Sequence, residues 1–321
     1  MCKENEWLLW RSRCSFMKIA INTRFLLKDK LEGLGWFTYE IVKRMVEQHP
    51  EHEFIFLFDR PYSTEFIFGP NVTPVVLFPP ARHPFLFYWW FDFSVTKALK
   101  QYKPDVFFSP DGFLSLRSEV KTVLAIHDVV YLHRPEDVSK AAQRYYELFT
   151  PKFLQKADRI LTVSEFNKKD ILEHFDIPSS KISVIYNGCR AIFKPLDIYA
   201  QQKIRNQYAD GQEYFLYYGA IQPRKNVHRI IAAFDLFKRK TKAPHKLLLA
   251  GRFAWQTGEV SDALHAAEYK EDIELLGYIP DEDLATIVAS AFCVTYPSEF
   301  EGFGLPIVEA MNCDVPVITG N

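Results

Sequence analysis

Short apolar runs alternate with stretches of helical period along nearly the whole chain, and this alternation restricts the fold more than any other feature. Strand-like runs lie at Lys18–Asn22, Glu53–Phe58, 71–78, 105–109, 121–126, 159–163 and 181–185. Between them, 36–48 carries Phe37, Ile41, Val42 and Met45 at helical spacing. Further helical stretches run from the aromatic segment 83–91 to about Tyr102, over 139–157, and over Glu165–His174 behind a Ser164 cap. Strands that alternate with helices in this way build a parallel, doubly wound α/β sheet with helices on both faces.

The pattern lapses at 187–199, where Asn187-Gly188 signals a turn and Pro195 follows, so a linker is expected there. A second series then begins. A short helix at 201–207 precedes strands at Tyr214–Tyr218, Lys246–Ala250, 272–275, 291–295 and 315–319. Helices are expected over 226–240, capped by Asn226, and over Asp281–Ser290. The 321 residues suffice for two such domains. We divide the chain into an extension at 1–16, a first domain at 17–190 and a second at 191–321.

A net charge of −1 argues against a general nucleic-acid surface. The 5 cysteines (Cys2, Cys14, Cys189, Cys293, Cys313) are odd in number and lack ligand spacing, which fits a reducing, cytoplasmic setting without disulfides or zinc. No apolar run reaches the roughly 18 residues of a membrane helix. The start mixes Lys3, Glu4 and Glu6 with a short apolar patch, a poor signal peptide, and residues 1–16 are expected to be loosely ordered. The rings of 83–91 are core material in the ordinary case. Their density also offers a face for peripheral association at the inner side of a membrane, or for a lipid-linked acceptor.

The chemistry concentrates in Tyr-Pro-Ser-Glu-Phe-Glu-Gly-Phe-Gly-Leu-Pro-Ile-Val-Glu-Ala-Met, from Tyr296 to Met311. A strand passes through a glycine-containing turn into a helix, where Pro306 suits the first turn. Gly302 and Gly304 allow close backbone approach, and free N–H groups at a helix start attract an anion. Glu309 lies one turn inside the helix, placed for ribose hydroxyls, and Glu301 lies in the loop, placed for a sugar. A capped helix with two solvated glutamates would give the same spacing. Upstream, Arg224 and Lys225 precede another helix and suit a diphosphate, though a solvated basic loop reads alike. Gly33 and Gly35 mark a strand-to-helix turn, but Thr38 stands where a dinucleotide fingerprint needs its third glycine. His127, Gly219, Gly251, Gly277 and Glu301 each follow the carboxyl end of an expected strand, where open α/β sheets bind ligands. Two facing sheets would enclose that ligand in a cleft.

The segment around Glu301 and Glu309 resembles the E-x7-E signature of retaining glycosyltransferases of family 4, of GT-B architecture, with Gly302-Phe303-Gly304-Leu305-Pro306 matching the stretch between the glutamates. The resemblance runs from Lys18 to Asn321, loosely in the first domain. It implies an acceptor-side domain followed by a donor domain that binds a nucleotide-diphosphate sugar. Gly219 through Asn226 is similar to the family's G-x(4)-R-K-N donor loop. By the same comparison Gly277 and Tyr278 wall the base pocket, Gly251 leaves room for the donor, and Gly35 belongs to a glycine-rich loop. His127 matches a histidine that faces the transferred sugar. The implied reaction passes a sugar, mannose from GDP-mannose by family likeness, to a glycan or lipid-linked acceptor in polysaccharide synthesis.

Retention implies same-face attack without a covalent adduct. No metal or other cofactor is expected, since the one Asp-x-Asp spacing, Asp281 and Asp283, opens a helix, and no His/Cys cluster is visible. Such proteins continue with further strand–helix units, so the second domain is expected to be incomplete. The competing readings are a GT-B nucleotide-sugar epimerase and a nucleotide-binding module inactive through truncation.

Overall fold

The structure is a computed structural model that describes residues 16–253 and 258–320, so the expectation for the first fifteen residues lies outside it. The chain divides between Tyr186 and Asn187 into two compact units, each built on one parallel sheet.

The first sheet has strands β1 (Lys18–Asn22), β2 (Glu53–Phe58), β3 (Val72–Val76), β4 (Val106–Ser109), β5 (Lys121–Ala125), β6 (Arg159–Thr162) and β7 (Ile182–Val184). Their order is β3-β2-β1-β4-β5-β6-β7, every pair parallel. Alternate side chains enter two separate cores. Ile19, Ile21, Phe54 and Phe56 pack with Val42 and Val46 of the helix Gly33–Gln48 on one face. Ala20, Ile55 and Leu57 pack with Trp90, Leu99 and Phe153 on the other. Burial on both faces explains why β2 is almost continuously apolar. Each such ring or branched chain contributes about 1.5–3 kcal/mol on burial.

The aromatic segment divides between core and surface. Trp90 and Phe91 are fully buried in a π-helical stretch, Trp90–Val95, while Phe85, Trp89 and Phe93 are exposed. The helix Gly33–Gln48 starts three residues before the expected 36 and so absorbs Gly33 and Gly35. A Cβ on Gly35 would lie 2.9 Å from the Phe25 carbonyl oxygen, so the loop after β1 folds back onto that first turn through the missing side chain.

The second sheet has strands β8 (Tyr214–Tyr218), β9 (Lys246–Ala250), β10 (Ile273–Gly277), β11 (Cys293–Tyr296) and β12 (Val317–Thr319), ordered β10-β9-β8-β11-β12 and again all parallel. Leu216 and Tyr218 face the helix Asp281–Ser290, and Tyr217 faces the helix Val227–Thr241. The helix expected from 201 begins at Ile198, because the Asp197 carboxylate accepts the Ala200 N–H at 2.9 Å. That cap, worth about 1 kcal/mol, draws the end of the aperiodic stretch into regular structure. Asn226 does not cap with its side chain. It takes a left-handed conformation at φ 57°, and its amide donates to the Pro297 carbonyl at 2.9 Å instead. Among the described residues no helix is long and apolar enough to cross a membrane.

Candidate functional site

In the second sheet the strand order reverses between β8 and β11, and the loops leaving these two strands meet at their carboxyl ends. The β8 loop carries Arg224 and Lys225 in a single 3-10 turn, Pro223–Lys225. The β11 loop carries Glu301. Arg224 donates to the Phe300 carbonyl at 2.8 Å and to Glu301 Oε1 at 3.1 Å. Lys225 pairs with the same carboxylate oxygen and with the Tyr296 hydroxyl at 2.5 Å. Backbone contacts tie the loops further, since Glu299 N–H donates to the Arg224 carbonyl at 2.9 Å. Two cations and one carboxylate therefore share a partly enclosed site, with side-chain exposures of 19%, 7% and 23%. Sequence reasoning assigned the cations and the carboxylate to different parts of a ligand; here both cations pair with the one carboxylate.

The neighbouring strand ends are glycines. Gly219 N–H donates to the Ala250 carbonyl at 2.9 Å, and Gly251 N–H to the Gly277 carbonyl at 2.7 Å. A Cβ on Gly251 would fall 1.8 Å from the Gly219 carbonyl oxygen, so no larger residue fits this backbone. Together they leave a stretch of edge without side chains beside the charged cluster. Tyr278, beyond Gly277, is exposed, with the Arg252 guanidinium 5.5 Å from its ring centre. Gly302 and Phe303 lead to Gly304, which enters the helix Leu305–Asn312 in a left-handed conformation at φ 84°. Having no side chain, Gly304 offers no cap, and Pro306 occupies the first turn.

Glu309 belongs to a second network that the sequence did not reveal. It is buried, and its Oε1 accepts from Arg190 at 3.1 and 3.3 Å while Oε2 accepts from the Tyr218 hydroxyl at 3.2 Å. The single Tyr218 proton is shared between acceptors, since the Pro306 carbonyl oxygen lies 2.8 Å from the same hydroxyl. Arg190 in turn pairs with Asp281 at 2.9 Å, which engages one acid of the Asp-x-Asp spacing. Burial pushes the Glu309 carboxyl above its ordinary range, and Arg190 opposes that rise. Arg190 lies 119 residues from Glu309 within an aperiodic stretch, so no local pattern marked it.

In the first unit the order reverses between β1 and β4. His127, two residues past β5, donates through Nε2 to the Pro110 carbonyl at 2.8 Å. This fixes the tautomer of the neutral ring and leaves Nδ1 as the acceptor. Burial pushes its pKa below the ordinary value. The ring of Phe37, two residues past Gly35, packs edge-on against His127 at 4.4 Å, so the Gly35 turn and His127 lie near each other. Asn167 donates to the His127 carbonyl from the helix that Ser164 caps. The neighbouring Asp111 forms a buried pair with Arg24 at 2.5 Å, its guanidinium 4.6 Å from the Phe113 ring centre. The fold also assembles His133, Asp170 and His174, a His/Asp cluster the sequence kept apart.

The sequence profile described as "Glycosyltransferase Family 4" matches residues 31–191, and that described as "Glycosyl transferases group 1" matches residues 200–321. The chain is 34% identical over 225 residues to O-antigen chain mannosyltransferase B of Escherichia coli, covering 70% of this chain and 59% of that protein. It therefore spans less than two thirds of this relative's length. The fold is shared with Anabaena HepE, solved with UDP and glucose, at a TM-score of 0.71 and 18% identity over 94% of this chain and 80% of that one. It is shared also with WaaG, a glycosyltransferase involved in lipopolysaccharide biosynthesis, at a TM-score of 0.72 and 14% identity over 94% and 80%. Two Rossmann-like units of this class make the fold GT-B. Matched by one profile through its first unit and by the other through its second, this chain belongs to the family 4, group 1 glycosyltransferases.

Proposed function

We propose that the chain carries the two Rossmann-like parts of a retaining glycosyltransferase that moves a sugar, mannose as the leading candidate, from a nucleotide-diphosphate donor to a glycan or lipid-linked acceptor in polysaccharide synthesis. The observation that carries this reading is the Arg224–Lys225–Glu301 cluster at the reversal point of the second sheet. The Escherichia coli relative named as an O-antigen mannosyltransferase supports the sugar and the pathway class, and the UDP and glucose bound to HepE support the donor class.

In this reading the diphosphate takes over Arg224 and Lys225 from Glu301. The released carboxylate then holds hydroxyls of the sugar. Charge develops on the leaving diphosphate as the glycosidic bond breaks, and the two cations with the N–H groups near Gly304 meet it in place of a divalent ion. Glu309, held by Arg190 and Tyr218, accepts from the ribose. Gly251 and Gly219 let the donor approach the backbone, while Gly277 and Tyr278 flank the base. His127 and Glu301 support the sugar through same-face attack, with His127 Nδ1 accepting a hydrogen bond from a sugar hydroxyl. Phe78, Phe85, Trp89 and Phe93 form an exposed aromatic surface in the first unit, where the Ser94 hydroxyl donates to the Phe78 carbonyl at 2.6 Å. This surface fits peripheral membrane association, which flotation with anionic vesicles tests.

The test of the reaction is turnover of GDP-mannose and UDP-sugars with and without candidate acceptors. Transfer requires acceptor; release of nucleotide without any acceptor would favour an epimerase, and binding without turnover a nucleotide module.

A further inference from the structure

We propose that His133, Asp170 and His174 form a binding site for one divalent transition-metal ion of the zinc class in the first unit. His133 ends the short helix Val130–His133. Asp170 and His174 lie four residues apart, on one face of the helix Glu165–His174. His133 Nε2 is 2.8 Å from Asp170 Oδ1 and 3.0 Å from Oδ2. His174 Nδ1 is 3.2 Å from Asp170 Oδ1. All three ligand atoms lie within 4.8 Å of one another. Zinc bonds of about 2.0–2.1 Å place tetrahedral ligand atoms roughly 3.3 Å apart, so rotations of the two rings are enough to seat an ion.

The donor set is also selective. Two imidazoles and one carboxylate suit Zn²⁺, Ni²⁺ or Cu²⁺, whereas Mg²⁺ and Ca²⁺ demand mostly oxygen. Asp170 is buried, with its side chain 5% exposed, while the histidine side chains are 34% and 38% exposed. The carboxylate is thus fixed in the protein and the fourth position opens to water. In the ion-free state the proton on His133 Nε2 bridges to Asp170, and His174 Nδ1 donates to the Asp170 carbonyl at 2.9 Å. The ion takes these two nitrogens, and each neutral ring keeps its proton by moving it to its other nitrogen, Nδ1 of His133 and Nε2 of His174.

A second group, His49, Glu51 and His52, makes a poorer site. It comes from one four-residue stretch, its two rings stack at 11°, and His52 lies 4.0 Å from Glu51. The His133 site instead joins two segments that hold His127. His133 follows His127 by six residues, and Asn167, which grips the His127 carbonyl, precedes Asp170 by one turn. An ion there ties those segments together, stabilising the unit without touching a leaving group. Only this last consequence depends on the proposed catalytic reading.

The test uses tag-free protein stripped with chelator. Titration with Co²⁺ should give the visible absorption of a four-coordinate ion at one equivalent. Zn²⁺ at a hundredfold above its Kd should raise the melting temperature by roughly 5 °C or more. Both responses should vanish in the His133→Gln, His174→Gln double variant and persist in the His49→Gln, His52→Gln variant. His133, His174 and His49 are exposed whereas His52 is buried, and circular dichroism confirms that each variant is folded. Absence of Co²⁺ binding, or binding that survives the first double variant, overturns the proposal.

Discussion

Arg190 and Glu309 illustrate how a single residue pair sets the site. A buried carboxylate tolerates its charge only while paired and hydrogen-bonded, and Arg190 supplies the pairing. Arg190→Met should therefore destabilise the second unit by about 3 kcal/mol in denaturant unfolding. Adding Glu309→Gln should recover much of that loss, because the neutral amide no longer needs a cation. Additive losses in this double-mutant cycle would show that the two groups are not coupled. His127 makes a prediction of opposite sign. Its folded pKa lies below the ordinary 6.5, so its contribution to stability is complete above that value and is lost as the pH falls through the folded pKa. An NMR titration should place the His127 midpoint below 6.5, and a midpoint at or above it contradicts the burial argument. Glu301, Arg224 and Lys225 were legible in the sequence because their neighbours follow a regular motif. Arg190 was not, because nothing local distinguishes a linker arginine from one that reaches 119 residues forward. His133 was hidden for the same reason, its partner Asp170 lying 37 residues away.

At the scale of elements, every expected strand appears, and burial on both faces writes apolar runs into the central ones such as β2 and β9. Boundaries moved where a side chain outside the periodic pattern decides them. Asp197 starts its helix earlier than the apolar period does, and Gly33 extends another helix backwards. Asn226 has the composition of a cap but the backbone of a left-handed corner. The strand-end glycines make the sharpest element-level prediction. Gly251→Ala forces a Cβ against the Gly219 carbonyl and should cost about 3 kcal/mol through strain and overpacking. Gly33→Ala meets no heavy atom within 4 Å and should be neutral or stabilising by up to ~1 kcal/mol. Thermal melts of the two variants check the contrast, and similar melting temperatures would remove the packing role given to Gly251.

At the scale of the whole molecule, both sheets reverse their strand order once, and the charged and polar residues gather where they do. If cations of the protein meet the leaving diphosphate, excess EDTA should lower the melting temperature through the His133 site while transfer at 25 °C persists. Activity lost in EDTA and restored by Mg²⁺ but not by Zn²⁺ would place an oxygen-bound ion at the reaction centre instead. The central claim is that Arg224 and Lys225 exchange Glu301 for a diphosphate, and calorimetric titration of UDP and GDP into three proteins tests it most directly. In the Arg224→Ala, Lys225→Ala variant, affinity for the preferred nucleotide should fall about a hundredfold or more, at roughly 1.5–3 kcal/mol for each charged hydrogen bond. In Glu301→Gln it should hold or tighten, because the cations lose their competing partner, while sugar transfer collapses. Wild-type affinity in a folded double variant, or nucleotide binding lost with Glu301→Gln, would contradict the account.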